Sequence, residues 1–525
     1  MGRAGLFATS LSVAATFAVA VLGPSVMEPA VPGRPGQPPW AFAAHLPPAV
    51  AVALTAAALA AGTLGLGLCL HAAHRGWQVS PRAILCAGII AAAVLAFLPP
   101  FGSSDHLSYA AYGRMVVTGH DPYTTTPAML ARLGDPVARA VQDWRLSPSV
   151  YGSLASGLQA LASLVGGTSP RLTVFVLSLL NVAAFVATGL LLHRLTRGSR
   201  PRQLRAALLW TFNPLLLQVL VAGEHVDSQA IFFGVAAIAL FSLRMPNDPS
   251  QASAARGFLV AALAGGLAGL GTAVKLTMVL VVAGLAVAVV AAWWRRWRWL
   301  AVAGGGLATG FAVIVTASLV PWGFTTLRPA LHAGSFVSIG SPWRLVRLAL
   351  HVLVSERVAN DLVKVGAIVL AGLLVVVLLR ALVLGAGGEG TGLSGAWHAG
   401  QDVDVGLLAA CGVFAFAFAW LVAWPYVLPW YDGLGWAALA LLPIPSRPIP
   451  SRPNPSLVGP ALDWLLLTRT AALAFGYLPA RGITMPADLH WLQSVVRTGV
   501  TPVILLAVTV ALVMVLRPRG MRAPA

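Results

Sequence analysis

The residues able to do chemistry gather in a few short stretches of an otherwise apolar chain. The run SSDHLSYAAYGRMVVTGHDPYTTTP (103–127) contains Asp105, His106, Tyr109, Arg114, His120, Asp121 and Tyr123. A carboxylate such as Asp105 can act as a base, above all where partial burial raises its proton affinity. A second run, GEHVDSQ (223–229), supplies Glu224, His225 and Asp227, groups suited to orienting a polar substrate. Cations are scarce at such places. Lys275, in GLGTAVKLTMVL, is one of two lysines in the chain. Arg344 follows Ser341–Pro342–Trp343 in LHAGSFVSIGSPWRLVRLAL, where Ser341 marks a helix start, and Arg497 stands near one end of an apolar run. Each of these cations either meets an anion such as a phosphate or snorkels to the interface. Asp463 and Arg469 share one apolar run and could pair with each other inside it.

Other chemistries have no footing. The chain contains no Walker A loop, no G-x-S-x-G, no H-E-x-x-H and no C-x-x-C. Cys69, Cys86 and Cys411 lie singly in or beside apolar runs and read as packing residues. No metal ion and no cofactor is expected. The net charge of +18 does not mean a nucleic-acid partner, because the arginines form no basic face but punctuate the gaps between apolar runs.

Those apolar runs form the scaffold on which the polar groups stand. The chain is 58% hydrophobic and 10% charged, with a mean hydropathy of +0.82, which places it among all-α polytopic membrane proteins. A span needs roughly 20 apolar residues. Such runs recur at 5–23, 48–70, 83–98, 171–193, 206–222, 230–243, 257–273, 275–292, 300–320, 362–384, 405–424, 433–444, 459–478 and 495–516, about fourteen in a single domain over 1–525. Residues 5–23 read as a span rather than as the core of a signal peptide.

Arginine placement orients the spans. HRLTRGSRPRQLR (193–205), WWRRWRW (293–299), SRPIPSRP (446–453) and the terminal RPRGMRAPA (517–525) all fall on one side with the N-terminus if spans alternate. The positive-inside rule makes that side cytoplasmic. The connection 385–404 falls there too, with Glu389, Asp402 and Asp404 but no arginine. Segments 99–170, 223–229, 321–361, 425–432 and 479–494 then face outward, and they carry most of the acids, so external chemistry is expected.

The 99–170 segment is too long for a turn. Its HLSYAAYGRMVVTG has helical spacing and is expected to lie along the membrane surface. HDPY reads as a turn, PVARAVQDWRL as a second amphipathic stretch, and SPSVYGSLASGLQALASLVG is left open between a re-entrant and a shallow helix. Asp105 follows directly on the third span.

These residues carry a resemblance. SSDHLSYAAYGRMVVTGHDPY, GEHVD, PWYDGLGWAALAL and YLP…LHWLQSVVRTGVTP are similar to segments of the actinobacterial polyprenol-phosphomannose-dependent α-1,6-mannosyltransferases, of the GT-C class. The resemblance runs from about the third span to the last. It implies a GT-C-like helical fold with a large first extracytoplasmic loop, a polyprenyl-phosphate sugar as donor, a glycan or glycolipid acceptor, and inversion at the anomeric carbon. Asp105 matches the loop carboxylate expected to act as base. His106, Tyr109, Arg114, Asp121, Tyr123, Glu224, His225 and Asp227 fall in the matching segments as substrate-binding candidates, and Lys275, Arg344 and Arg497 are candidates for the lipid phosphate. Many members of the class carry adjacent carboxylates where this chain has His106. A flippase or transporter of lipid-linked sugars is the rival class, although no repeat between the halves points to one. Arabinose or glucose, or a protein acceptor, would need similar acids and cations.

Overall fold

A computed structural model describes residues 1–247, 253–384, 404–443, 458–479 and 485–517. The described residues form helices and turns, with no strand among them. Among the described residues, eleven helices are long and apolar enough to cross a membrane: α1 (Gly2–Leu22), α2 (Pro48–His74), α8 (Pro170–Leu195), α9 (Arg200–Ala222), α10 (Asp227–Arg244), α11 (Ala254–Val274), α12 (Leu276–Trp293), α13 (Trp297–Leu319), α16 (Glu356–Leu382), α17 (Val405–Ala423) and α20 (Ala487–Leu516). Many begin as their sequences dictate. Ser169 caps α8 by accepting from the Leu172 amide at 3.3 Å, and Asp404 caps α17 through Leu407 at 3.0 Å.

Fourteen spans were expected, and three of them fall short of that criterion. The third, α3 (Pro81–Leu95), has 15 residues, stopping short of Pro99–Pro100. The twelfth is α18 (Gly433–Leu441), nine residues and wholly buried, preceded by the tight turn Pro429–Asp432. The thirteenth, α19 (Val458–Gly476), is long enough, but Asp463 and Arg469 dilute its apolar character. Those two do not pair with each other. Asp463 takes Arg205 Nε at 3.0 Å and His74 Nε2 at 2.9 Å, while Arg469 pairs with Asp432. All but His74 in this group are nearly inaccessible, so each charge is neutralised across helices.

Hydrogen bonds sort the helix connections into two ends. At one end Arg205 and Arg202 donate to the carbonyls of Leu439 and Leu441, beside the Asp463 cluster, so 193–205 meets the end of α18. Asn247 accepts from the Val405 amide at the same ends of α10 and α17. The expected orientation signals at Glu389, Asp402, Arg447, Arg452, Arg519 and Arg522 lie outside the described residues. At the other end Phe101 donates to Ala222 O, Gly102 to Met27 O, Gly152 to Val274 O and Ser338 to Pro425 O. The segments expected to share a face do meet there.

The long connection folds as four helices, α4 (Asp105–Val117), α5 (Pro127–Arg132), α6 (Pro136–Arg139) and α7 (Ser153–Gly166). The helix α4, expected along the membrane surface, is buried all round from His106 to Gly113 and packs on α7 and α8. A Cβ on Gly113 would lie 2.1 Å from Gln159 O, so glycine permits this approach. The stretch PVARAVQDWRL is helical only at Pro136–Arg139, and the open segment becomes α7, a discrete 14-residue helix. Two short helices, α14 (Leu327–Ala333) and α15 (Pro342–His351), follow α13.

Candidate active site

At the end where these connections meet lies a cavity of about 400 Å³. Ser104 lines it from just before α4, Asp105, Tyr109 and Tyr112 from α4 itself, and Asp143, Trp144 and Tyr151 from the segment before α7. His332 and Phe336 close one side; Tyr426, Trp430, Tyr431 and Tyr477 close another. Among these lining residues there is no lysine or arginine.

Asp105 opens α4, where its charge meets the helix N-terminus. Trp144 Nε1 donates to its Oδ1 at 3.1 Å, and Ser103 Oγ accepts from its backbone amide at 3.1 Å. Burial pushes its carboxyl up to about 6. The bonds from Trp144 and Ser103 oppose that rise, the Asp143 charge adds to it, and Lys275 lowers it. Asp143 is itself held by the Ser104 hydroxyl. Trp144 has a left-handed backbone, φ 59°, which costs a bulky residue energy. That strain sits where the indole meets the carboxylate.

His225 stacks on Trp430 with ring centroids 3.6 Å apart, and its Nδ1 lies 3.6 Å from Asp105 Oδ2. The separation is too long for a hydrogen bond. Burial, then the Lys275 and His106 charges, hold the imidazole well below its usual range. His225 is therefore a neutral neighbour of Asp105, not an ion-pair partner. His106 is fully buried on α4 behind the lining. Tyr109 hydrogen-bonds Tyr151 at 3.1 Å, and burial pushes both phenols up, so they stay neutral.

Asp227 and Lys275 do come together, Nζ to Oδ1 at 2.6 Å, and Lys275 also lies 3.9 Å over the Tyr431 ring. The pair sits behind Tyr431 rather than in the cavity wall. Glu224 accepts from Ser178 Oγ at 2.5 Å in the turn before α10. Burial pushes its carboxyl far above the carboxylate range. Its φ of 51° is another strained left-handed position beside the site.

The remaining candidates have other work. Arg114 Nε binds Asp135 Oδ2 at 2.7 Å, tying α4 to the start of α6. Asp121 accepts from the Tyr123 amide at 2.8 Å, which makes HDPY a turn, and the Tyr123 hydroxyl meets Ser156 Oγ at 2.9 Å. Arg497 donates to Gly476 O at 2.6 Å and Pro479 O at 2.9 Å, and stacks over Tyr477. It is a strut that fixes the Tyr477 wall. Arg344 stands on α15, outside the lining. Sequence reasoning missed Asp143, Trp144, Tyr151, Tyr426, Trp430 and Tyr477 as site residues. The signal was the density of aromatics in outward connections, which reads equally as interfacial anchoring. Among the described residues no three His, Cys, Asp or Glu side chains are grouped to hold a metal ion.

The family model described as alpha-(1→6)-mannopyranosyltransferase, N-terminal domain, matches residues 3–295, more than half of the chain. Alpha-(1→6)-mannopyranosyltransferase B of Corynebacterium glutamicum is 30% identical over 135 residues, 26% of this chain and 22% of that protein. Alpha-(1→6)-mannopyranosyltransferase A of the same organism is 29% identical over 138 residues, 26% of this chain and 27% of that one. A Mycobacterium tuberculosis alpha-(1→6)-mannopyranosyltransferase is 31% identical over 166 residues, 30% of this chain and 27% of the relative. The chain thus spans about a quarter of the length of the curated relatives it matches. An Archaeoglobus fulgidus oligosaccharyltransferase structure aligns over 82% of this chain and 52% of its own, at 17% identity and a TM-score of 0.36, too weak a likeness to bear on fold or function. On the extent of the family match, this multi-helix membrane protein belongs to the alpha-(1→6)-mannopyranosyltransferase family.

Proposed function

We propose that the protein is an inverting mannosyltransferase, moving a mannosyl group from a polyprenyl-phosphate donor to a glycan or glycolipid acceptor outside the cytoplasm and forming an α-1,6 linkage. The observation that carries this reading is Asp105 in the wall of a 400 Å³ cavity, surrounded by aromatic side chains. Aromatic faces suit the C–H faces of sugar rings, and the hydroxyls of Tyr109, Tyr151 and Tyr431 can orient sugar oxygens. A polyprenyl phosphate keeps its head at the interface, and the cavity lies at the helix ends opposite the arginine-rich connections.

In the reaction the acceptor's primary hydroxyl oxygen attacks the anomeric carbon. Its proton passes to an Asp105 carboxylate oxygen, and the carbon–oxygen bond to phosphate breaks with the electron pair leaving on the phosphate. One displacement converts a β-linked donor to an α-linked product. A carboxyl at about 6 is a stronger base than an exposed aspartate while still mostly ionised at neutral pH. The departing phosphate needs charge compensation but no acid. His332 lines the cavity with ring nitrogens able to hydrogen-bond the phosphate, and Lys275 adds its field from behind Tyr431. Arg114 and Arg497, committed to Asp135 and to backbone carbonyls, are not given that role.

The test is transfer of labelled mannose from a polyprenyl phosphate to a mannoside acceptor by protein in nanodiscs. Asp105→Asn should lower transfer by about 10²- to 10⁴-fold with the protein folded. Undiminished transfer would remove Asp105 as the base. Movement of the donor across vesicles without transfer would favour a flippase.

A further inference from the structure

Behind the Tyr109 wall lies a second, much smaller cavity of about 10 Å³, room for one water-sized body. Gln159 of α7, Asn181 of α8, Glu224 and Gln229 line it with Tyr109. Gln159, Asn181 and Glu224 are each at least 98% buried. The orphaned atoms here are mostly oxygens. Glu224 Oε1, Asn181 Oδ1 and both terminal atoms of Gln159 have no hydrogen-bond partner among the described residues. The Asn181 amide cannot turn to change this, because its Nδ2 donates to Leu220 O at 2.8 Å.

The charge balance of the bundle points the same way. Asp227 is paired with Lys275, Asp432 with Arg469, and Asp463 with Arg205 and His74. Among the described residues, Glu224 and Glu28 are the almost wholly inaccessible carboxyls without a cation, and of the two Glu224 borders a cavity with orphaned amide oxygens. Glu224 receives a hydroxyl from Ser178, which satisfies one oxygen and no charge.

We propose that this cavity binds a single monovalent cation of sodium size through Glu224 Oε1, Asn181 Oδ1 and Gln159 Oε1. Side-chain carboxylate and carbonyl oxygens are the ligands hard cations take. Burial keeps the Glu224 carboxyl protonated when no ion is bound, so the cation enters in exchange for that proton. The resulting single carboxylate among neutral amides balances one positive charge; a divalent ion would leave an uncompensated charge in a dry interior. The ion joins the turn carrying His225 to α7 and α8, directly behind Tyr109. Its role is to position the cavity wall rather than to touch substrate.

The experiment uses the full chain in nanodiscs at constant ionic strength, with sodium chloride replaced stepwise by N-methylglucamine chloride. Radioactive sodium binding and thermal unfolding are read in parallel. The expected result is saturable binding of about one sodium per chain and a sodium-dependent rise in the unfolding midpoint. Glu224→Gln should abolish both, and Gln159→Leu should weaken sodium binding at least about tenfold. If Glu224→Gln does not fold, Gln159→Leu and Asn181→Leu carry the test. Absence of saturable sodium binding to the wild type means the cavity takes only water and overturns the proposal. So does binding that survives all three substitutions, which would put the ion elsewhere. Neither readout depends on sugar transfer, so the proposal can fail without the enzymatic reading failing.

Discussion

The acid limb of transfer should move in opposite directions when two neighbours of Asp105 are changed. Burial raises the Asp105 carboxyl to about 6, against the bonds from Trp144 and Ser103, with the Asp143 charge raising it further. A base must be ionised to act. It is about nine-tenths ionised at pH 7 and about one-tenth at pH 5, so kcat/KM should fall by nearly tenfold over that interval. Trp144→Phe removes the indole N–H that binds the carboxylate at 3.1 Å. A hydrogen bond to a charged group contributes about 1.5 kcal/mol or more, and one pH unit corresponds to about 1.4 kcal/mol. The limb should therefore climb by about one unit, leaving about a tenth of Asp105 ionised at pH 6 where the wild type has half. That is roughly a fivefold loss at pH 6 and about a twofold loss at pH 7. Asp143→Asn removes a like charge, so its limb should move to lower pH. The assay is kcat/KM for labelled mannose transfer between pH 4.5 and 8.5, read as limb position rather than plateau, since Trp144 also forms part of the wall. Limbs that stay put in both variants, or move the same way, would refute Asp105 as the titrating base.

Other parts of the molecule give independent outcomes. Lys275→Met strands Asp227 behind Tyr431 and should cost about 3–5 kcal/mol in nanodisc unfolding, most of it recovered by adding Asp227→Asn. Gly113→Ala puts a methyl against the Gln159 carbonyl, so it should separate α4 from α7 and lower both transfer and unfolding midpoint; an unchanged midpoint would contradict the contact. Burial raises Glu28 from 4.5 to about 9, so the folded protein binds one more proton than the unfolded chain between those values and loses stability as pH rises through them. The cost at pH 7 is roughly 3 kcal/mol as an upper figure. Glu28→Gln should thus be more heat-stable than the wild type at pH 8, with the gap closing near pH 5.

The sequence announced its spans because apolar runs of bilayer length have few other readings. It also announced which connections share an end, since arginine placement and alternation fix that together. The three short or diluted helices were harder, because a run such as 433–444 reads alike whether it crosses a bilayer or is buried among other helices. In and around the site, Asp105, His225, Asp227 and Lys275 each stood out as polar groups in a greasy chain, with no sign of which of them would pair. Asp143 and Trp144 did not, since PVARAVQDWRL looks like an ordinary amphipathic face until the chain turns at Ala140 and directs both into the cavity. Nor could spacing show that Arg114 is spent on Asp135 or Arg497 on two carbonyls. A charge advertises that it needs a partner, but not which one the fold supplies.

The cavity wall is assembled from positions as distant in sequence as Ser103 and Tyr477, contributed by four separate connections. No fragment of the chain owns it. Whatever fills that space bridges helices from nearly the whole length of the polypeptide, and anything that binds the assembled form alone shifts the unfolding equilibrium of the entire bundle. Heat resistance conferred by a candidate sugar lipid is therefore a direct way to rank substrates before any product is detected.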